Sequence, residues 1–537
     1  MRKSEGKDFK VFVKNGKGDI VSKKNDALVH NCAVIDIGSN ELRLRIAEGT
    51  KNKVKIIESL TYPLSLGSDT FDTGKISFEK IDKTCNIIKG FMTVCKEYGV
   101  TNIKSVATTA VREAENKDYI LDQIKIKTSL DLEVVDETEE KILIYKLMTH
   151  LLPKDIMDSG LMVYSGAGDI GVSTLCGGKI PFTKNIKIGS LRVSEMFAEI
   201  QEHSKEFYKV VEEYLISVMW GMEESLSEEI NNFIISGNEI SIIAKLCKAH
   251  KDGIFLHIST DEVENLYTDI KSKSVDRISV DYNLSLEKAE VMLPAVCIIK
   301  ILSSYTKCKK IIAPSVFLGD ALVYKTLFPD DFSKIDKEFN KSSLLSSRRL
   351  CDKYCYTQSH GEAVESFAMK IFDTMKKIHG LGTRDKLLLQ IAALMHDCGK
   401  YVGMKDHYIT SYNMINKFDI VAVNGREKEI IALISMYHSR ITPSMNDEAY
   451  RRLGLNDRVL VSKLSAILRL ADSLDRSNKQ KFGSIETKIL DNQLIVMIET
   501  DKNIDLEHWS FKDKGKFFEE VFGMKAILKK KRDFKSL

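Results

Sequence analysis

The chain has 537 residues, 43% of them hydrophobic and 29% charged, with a net charge of +4. That length is too great for one core and calls for roughly two to four domains, and seven prolines without a low-complexity tract exclude long disordered linkers. So small a net charge, with lysines spread along the chain, excludes a strong electrostatic footprint for nucleic acid.

Residues 1–32 are polar and lysine-rich and read as an N-terminal extension without a secretory apolar region. They end in ALVHNC, which is similar to the C-terminal junction of a protein-splicing element; the remainder of such an element is missing, so the match reads as coincidence. From Ala33 the pattern is α/β. AVIDIG is a buried strand run, GSNE a polar turn, and LRLRIAEG an alternating return strand. Helical segments then interleave with short strands such as SVATTAV and LEVVDE. At LMVYSGAGDIGVSTLCGGKI the strand–turn–strand pattern recurs, about 130 residues on, which predicts two related halves facing one cleft, residues 33–157 and 158–330. The polar stretch PDDFSKIDKEFNKSSLLSS reads as a linker, placed at 331–349. Residues 350–478 are helical in period, and 479–537 return to strands, IETKIL and QLIVMIE, and an amphipathic helix, GKFFEEVFG, as a small α/β appendage. The longest apolar run, VMLPAVCIIKIL, is interrupted by Lys300 and too short for a bilayer, so no membrane partner is expected. Ten cysteines without a CxxC pair predict reduced thiols and a cytoplasmic protein.

Asp36 ends the first buried strand, and Gly38, Ser39 and Asn40 form its turn. Backbone N–H groups and hydroxyls in such a turn hold phosphate oxygens, and an Asp at the strand end binds a metal or orients water. Taken alone, this segment is better explained as an ordinary hairpin whose Asp and Asn make turn hydrogen bonds. The wider text decides between them: VIDIGSNELRLRI, VATTAVREAENKDYI and LEVVDETEEKILIY resemble, in order and spacing, the exopolyphosphatase and guanosine-pentaphosphate phosphatase family. The resemblance implies two ribonuclease-H-like halves of the sugar kinase, Hsp70 and actin superfamily, with a phosphate cleft between them. It implies release of terminal phosphate from polyphosphate or a phosphorylated guanosine nucleotide, Mg or Mn in the cleft, and a homodimer. On it, Asp36, Gly38, Ser39 and Asn40 fall on the first phosphate loop, Arg112 on the phosphate-binding arginine, and Glu140 on the base that activates water. Acids in a helix's first turn also stabilise its dipole, so Glu140 has a structural role available too. The family's second loop, DIGGGSTE, aligns here with Tyr164 in place of its Asp and Gly171 in place of its Glu. Gly166 and Gly168 are kept for phosphate, and Asp169 is a displaced carboxylate that a gapped alignment sets on the family's Asp.

The helical region carries His360, His396, Asp397, His407, His438 and Asp472 in the contexts SHGEAVESFA, AALMHDCGKYVG, KDHYITSYNMI, MYHSRITP and LRLADSLDRS. Mixed imidazole and carboxylate ligands suit Mn, Fe, Co, Mg or Zn rather than a thiolate zinc site. This ordered set resembles the HD domain, in which metal ions activate water against phosphate esters. The resemblance implies that His360, His396, Asp397 and Asp472 bind a first metal, and that His407 and His438 hold a second metal or the phosphate. Lys400 is a candidate to meet substrate phosphate, or an exposed helix-end lysine. Three readings follow: hydrolysis in the N-terminal cleft, hydrolysis in the HD bundle with the cleft as a regulatory phosphate or nucleotide module, and a non-catalytic polyphosphate or nucleotide sensor.

Overall fold

The two hairpins marked by glycine-containing turns each begin a sheet. The computed structural model describes residues 8–9, 30–50, 53–166, 168–203, 206–222, 226, 230–237, 239–355 and 357–531, so most of the extension expected over 1–32 lies outside the described residues. The chain divides into two units, Met1–Phe339 and Asn340–Leu537.

In the first unit, strands β1 (Asp8–Phe9), β2 (His30–Ile37), β3 (Glu41–Thr50), β4 (Lys53–Pro63), β5 (Ile103–Ala107) and β6 (Glu133–Val134) form a sheet of order β1-β4-β3-β2-β5-β6. Strands β2, β3 and β4 are an antiparallel meander, and β5 and β6 continue it in parallel. The second sheet contains β7 (Ser159–Ser165), β8 (Ile170–Cys176), β9 (Lys179–Ile186), β10 (Asn232–Gly237), β11 (His250–Asp252), β12 (Phe255–Ser259) and β13 (Lys310–Pro314), in the order β11-β12-β13-β10-β7-β8-β9. Again a meander, β7 to β9, is continued by parallel strands, β10 and β13. One strand order therefore occurs twice, with AVIDIG and LMVYSG at equivalent places. Strand β2 is buried from Ala33 to Ile37, as a central strand covered on both faces is. Strand β3 alternates: Leu42, Leu44 and Ile46 enter the core, and Arg43 and Arg45 take the other face, Arg43 opposite Asp36 in the ladder.

Two helices of this unit carry site residues, α1 (Thr109–Glu113) and α2 (Glu137–Leu151). Asp136 caps α2, accepting from the backbone N–H of Thr138 at 2.9 Å and of Glu139 at 3.2 Å.

Residues 331–349, expected as a polar linker, include the boundary between the two units and are the interior of one helix, α3 (Pro329–Tyr354). Its buried residues Phe332, Phe339, Ser343, Ser347 and Cys351 recur at helical spacing. A stripe completed by small serines buries a helix face without looking hydrophobic, which is why composition pointed the other way.

The second unit holds α4 (Gln358–Thr374), α5 (Thr383–Met395), α6 (His407–Lys417), α7 (Gly425–Met436), α8 (Leu455–Ser473) and α9 (Asp505–Phe522), with a three-stranded sheet β14 (Ile485–Leu490), β15 (Gln493–Ile498) and β16 (Lys525–Lys530). The segment 479–537 is not an appendage to the helices. Leu494 and Val496 of β15 and Phe511 and Phe518 of α9 share one buried cluster with Ile391, Ile430 and Leu464 of the helices. The apolar face of the three-stranded sheet is thereby covered by helices. No helix among the described residues is long and apolar enough to cross a membrane, and all ten cysteines are free of disulfides.

Candidate functional site

The first unit contains a cavity of about 1800 Å³. Asp36, Gly38, Ser39, Asn40, Arg112, Glu140, Gly166 and Gly168 all line it, together with Tyr164 and Asp169. The fold achieves this because the β2–β3 turn, the β7–β8 turn, α1 and the first turn of α2 open onto one space. The first turn is closed by the Gly38 N–H donating to the Glu41 carbonyl at 3.1 Å. Arg112 is fixed by donating to the Val135 carbonyl at 2.9 Å and to Thr109 Oγ1 at 3.0 Å, rather than by a glutamate.

The acids of the cleft differ in state. Asp36 is buried, its Oδ1 accepts no hydrogen bond, and burial pushes its carboxyl up against the pull of Arg43 and Arg45. Burial, reinforced by the charge of Asp36, raises Glu140 to about 7; Arg112 and the Tyr164 phenol, which donates to Glu140 Oε1 at 3.1 Å, hold it from rising further. Asp169 is ion-paired with Lys141, whose Nζ also lies 3.0 Å from Glu137 Oε1 and 3.2 Å from Asn185 Oδ1. Gly171 stands opposite Tyr164 in the β7–β8 ladder, and a Cβ there would lie 2.5 Å from Tyr145 Oη and 3.2 Å from Lys141 Cδ. The described residues assemble no group of three metal ligands in this cleft.

In the second unit all six residues singled out in the sequence meet. His360 comes from α4, His396 and Asp397 from the end of α5, His407 from the start of α6, His438 from just beyond α7, and Asp472 from the end of α8. His360 Nε2 lies 3.3 Å from Asp472 Oδ1 and 3.6 Å from Asp397 Oδ2; His396 Nε2 lies 3.5 Å and 3.6 Å from the same two atoms. The other oxygen of Asp397, Oδ1, lies 3.3 Å from His407 Nε2 and 3.5 Å from His438 Nε2. Asp397 thus joins two clusters, one oxygen to each.

The outward nitrogens set the tautomers. His396 Nδ1 donates to the Ala393 carbonyl at 2.8 Å, His407 Nδ1 to the Met404 carbonyl at 3.2 Å, and His438 Nδ1 to the Ser435 carbonyl. His360 Nδ1 lies 2.8 Å from Asp475 Oδ2. Each imidazole therefore turns its Nε2 inward, the arrangement of metal-ligating histidines. Burial works against protonation of His360, but Asp472, Asp475 and Asp397 outweigh it and lift the ring to about 9. Burial pushes His438 down to about 4. Although burial opposes it, the carboxyls of Asp397 and Asp472 are held well below the usual range, by His396 and its neighbours and by Lys514 respectively. The donor set fits a divalent cation: His360, His396 and Asp472 form one candidate ligand group, His396, Asp397 and His438 another, and the buried Oδ1 of Asp397 accepts no hydrogen bond.

Three residues of these sites were not read from the sequence. Asp475 follows Asp472 by one helical turn and orients His360, a spacing that was there to be noticed. Lys514, buried on α9, is ion-paired with Asp472, and Lys141 with Asp169; neither carries a local signal. Lys400 is not a free helix-end lysine, since its ammonium meets Asp397 Oδ2.

The Ppx/GppA phosphatase family model matches residues 45–325, and that of Ppx/GppA phosphatase, domain III, matches residues 344–513. The chain is 25% identical over 322 residues to a bifunctional 3-dehydroquinate synthase/phosphatase of Fusobacterium nucleatum, covering 56% of this chain and 47% of that protein, about half its length. It is 19% identical over 477 residues to a guanosine-5'-triphosphate,3'-diphosphate pyrophosphatase of Photobacterium profundum, covering 87% of this chain and 91% of that one. A solved structure of an Aquifex aeolicus family member aligns at 22% identity and a TM-score of 0.48, covering 56% of this chain and 99% of that one. The two family models lie in order along the chain, the first spanning more than half of it, and the chain belongs to the Ppx/GppA phosphatase family.

Proposed function

We propose that this protein is a cytoplasmic phosphohydrolase whose hydrolytic centre is the histidine–aspartate cluster of the second unit, an HD-type centre, and whose first unit, a pair of ribonuclease-H-like halves, holds phosphate in its cleft. The observation that carries this reading is the convergence of six side chains with every Nε2 turned inward. His360, His396, Asp397 and Asp472 would hold one divalent cation, and Asp397 Oδ1 with His407 and His438 a second cation or the substrate phosphate. A cation of the Mn, Fe, Co, Mg or Zn kind supplies Lewis acidity toward phosphoryl oxygen and makes bound water acidic. The protein's own part is orientation. Asp475 and three backbone carbonyls fix the rings, Lys514 holds the outer oxygen of Asp472, and Lys400, ion-paired with Asp397, is the cation that would meet a phosphate.

The substrate class proposed is a terminal phosphoanhydride, in polyphosphate or a guanosine nucleotide of the kind named for the Photobacterium relative. In the cleft, the turns at Gly38–Ser39–Asn40 and Gly166–Gly168 and the guanidinium of Arg112 are the phosphate-holding groups. A second reading places hydrolysis in that cleft, with Glu140 as the base that takes a proton from water. It is favoured by the burial that lifts Glu140 to about 7, with the Tyr164 phenol keeping it from rising further.

The test is reconstitution. Protein stripped of metal and reloaded with Mn should release phosphate from polyphosphate or guanosine pentaphosphate, and Asp472→Ala should neither take up stoichiometric Mn nor release phosphate. Full activity in Asp472→Ala would exclude the second unit as the hydrolytic centre.

A further inference from the structure

We infer that Lys141 is a built-in cation of the N-terminal cleft, pairing with Asp169 and Glu137 in place of a divalent metal so that phosphate docks there without one. The inference rests on the reading of the cleft as a phosphate site. Lys141 lies on α2, and its side chain is 3% exposed. Its ammonium is surrounded by oxygens: the Asp169 carboxylate of the second loop, Glu137 Oε1 at 3.0 Å and Asn185 Oδ1 at 3.2 Å. Two carboxylates and an amide carbonyl are an oxygen set that a hard divalent cation would otherwise take. Here the chain fills it with its own charge.

Gly171 makes room for this arrangement. The Lys141 stem passes over Gly171, where a Cβ would crowd it and come within 2.5 Å of Tyr145 Oη. An acidic side chain at position 171 therefore cannot coexist with Lys141 and Tyr145 as placed. Of the other acids lining the cleft, Glu140 is engaged by Tyr164, while Asp36 and Glu239 each keep one buried oxygen without a partner. The described residues bring no three metal ligands together there. Bare, Asp169 and Glu137 would repel an anion entering beside Gly166 and Gly168. Lys141 cancels one of the two charges, Arg112 and Lys187 act on Glu137 as well, and no chelator removes a lysine.

The experiment measures binding of inorganic phosphate by calorimetry, with the full-length chain in an Asp397→Ala background that disables the second unit's centre. Wild-type cleft protein should bind phosphate with the same Kd in EDTA and in magnesium. Lys141→Met should bind about tenfold or more weakly in EDTA, because it leaves two carboxylates bare beside the anion, and regain affinity in magnesium, which those carboxylates are then free to hold. Binding that needs magnesium in the parent overturns the inference, and so does Lys141→Met binding like its parent in EDTA. No binding in either buffer overturns the reading of the cleft as a phosphate site, and the inference with it. The comparison of buffers uses the parent protein, so it holds even if Lys141→Met does not fold.

Discussion

The phenol of Tyr164 donates a hydrogen bond to Glu140 across 3.1 Å, joining the second glycine-containing loop to the start of α2. A donor stabilises the ionised carboxylate and so lowers its pKa, against the upward push of burial and of Asp36. Tyr164→Phe should therefore move the titration of Glu140 above 7. Carbon-13 NMR of labelled glutamate carboxyls follows that shift directly, and a titration unchanged by Tyr164→Phe would mean that the two groups do not interact in solution.

Glu140 also ties stability to pH. Its carboxyl titrates at about 7 in the folded protein against an ordinary 4.5, so the folded state holds the proton more tightly than the unfolded one. Wild type is then most stable on this account below 4.5, loses stability as pH rises from 4.5 to about 7, and stays at the lower level above. Glu140→Gln removes the loss, and should gain on wild type across that window by roughly 2–4 kcal/mol, measured by urea unfolding at pH 4.5 and pH 8.

Lys514 and Asp472 form a buried ion pair, with side chains 9% and 6% exposed. Lys514→Met leaves Asp472 without its cation, and in metal-free protein this should cost about 3–5 kcal/mol in urea unfolding. Added Mn should restore part of the loss by binding the folded state, so the deficit should shrink as Mn concentration rises.

Gly399 has no room for a side chain. A Cβ there would run into the His407 carbonyl oxygen and lie 2.5 Å from the Ser411 nitrogen, and the Gly399 N–H donates to Ser411 Oγ at 2.9 Å. Gly399→Ala should push the start of α6 away and carry His407 with it. We expect about 1–3 kcal/mol of destabilisation and loss of one equivalent of bound Mn by mass spectrometry, with the His360–His396–Asp472 group retaining its own.

The histidine–aspartate cluster was legible because the chemistry proposed for it restricts each position to imidazole or carboxylate, and because each of these residues sits near a helix end with apolar neighbours that the sequence shows. Its supports were less so. Lys514 lies 42 residues beyond Asp472 and meets it only once α9 packs against α8. Lys141 looks like any helix-start lysine next to Glu140; what buries it is Gly171, on a strand whose register the sequence does not state. Helix α3 was hidden because Ser343 and Ser347 bury a face without hydrophobic side chains, and strand β16 because KAILKK places lysines around its apolar residues. The strand–turn–strand text, by contrast, exposed the repeated sheets, since buried central strands are apolar runs and their turns need glycine or small polar residues.

The central claim is that hydrolysis belongs to the second unit and phosphate holding to the first. It is tested most directly by phosphate release from long-chain polyphosphate and guanosine pentaphosphate, in Mn, for wild type, Asp397→Ala and Glu140→Gln side by side. We predict that Asp397→Ala, which breaks both clusters, loses release by a factor of about 100 or more, while Glu140→Gln keeps most of it. Release that survives Asp397→Ala and disappears in Glu140→Gln would contradict the account and place the chemistry in the cleft.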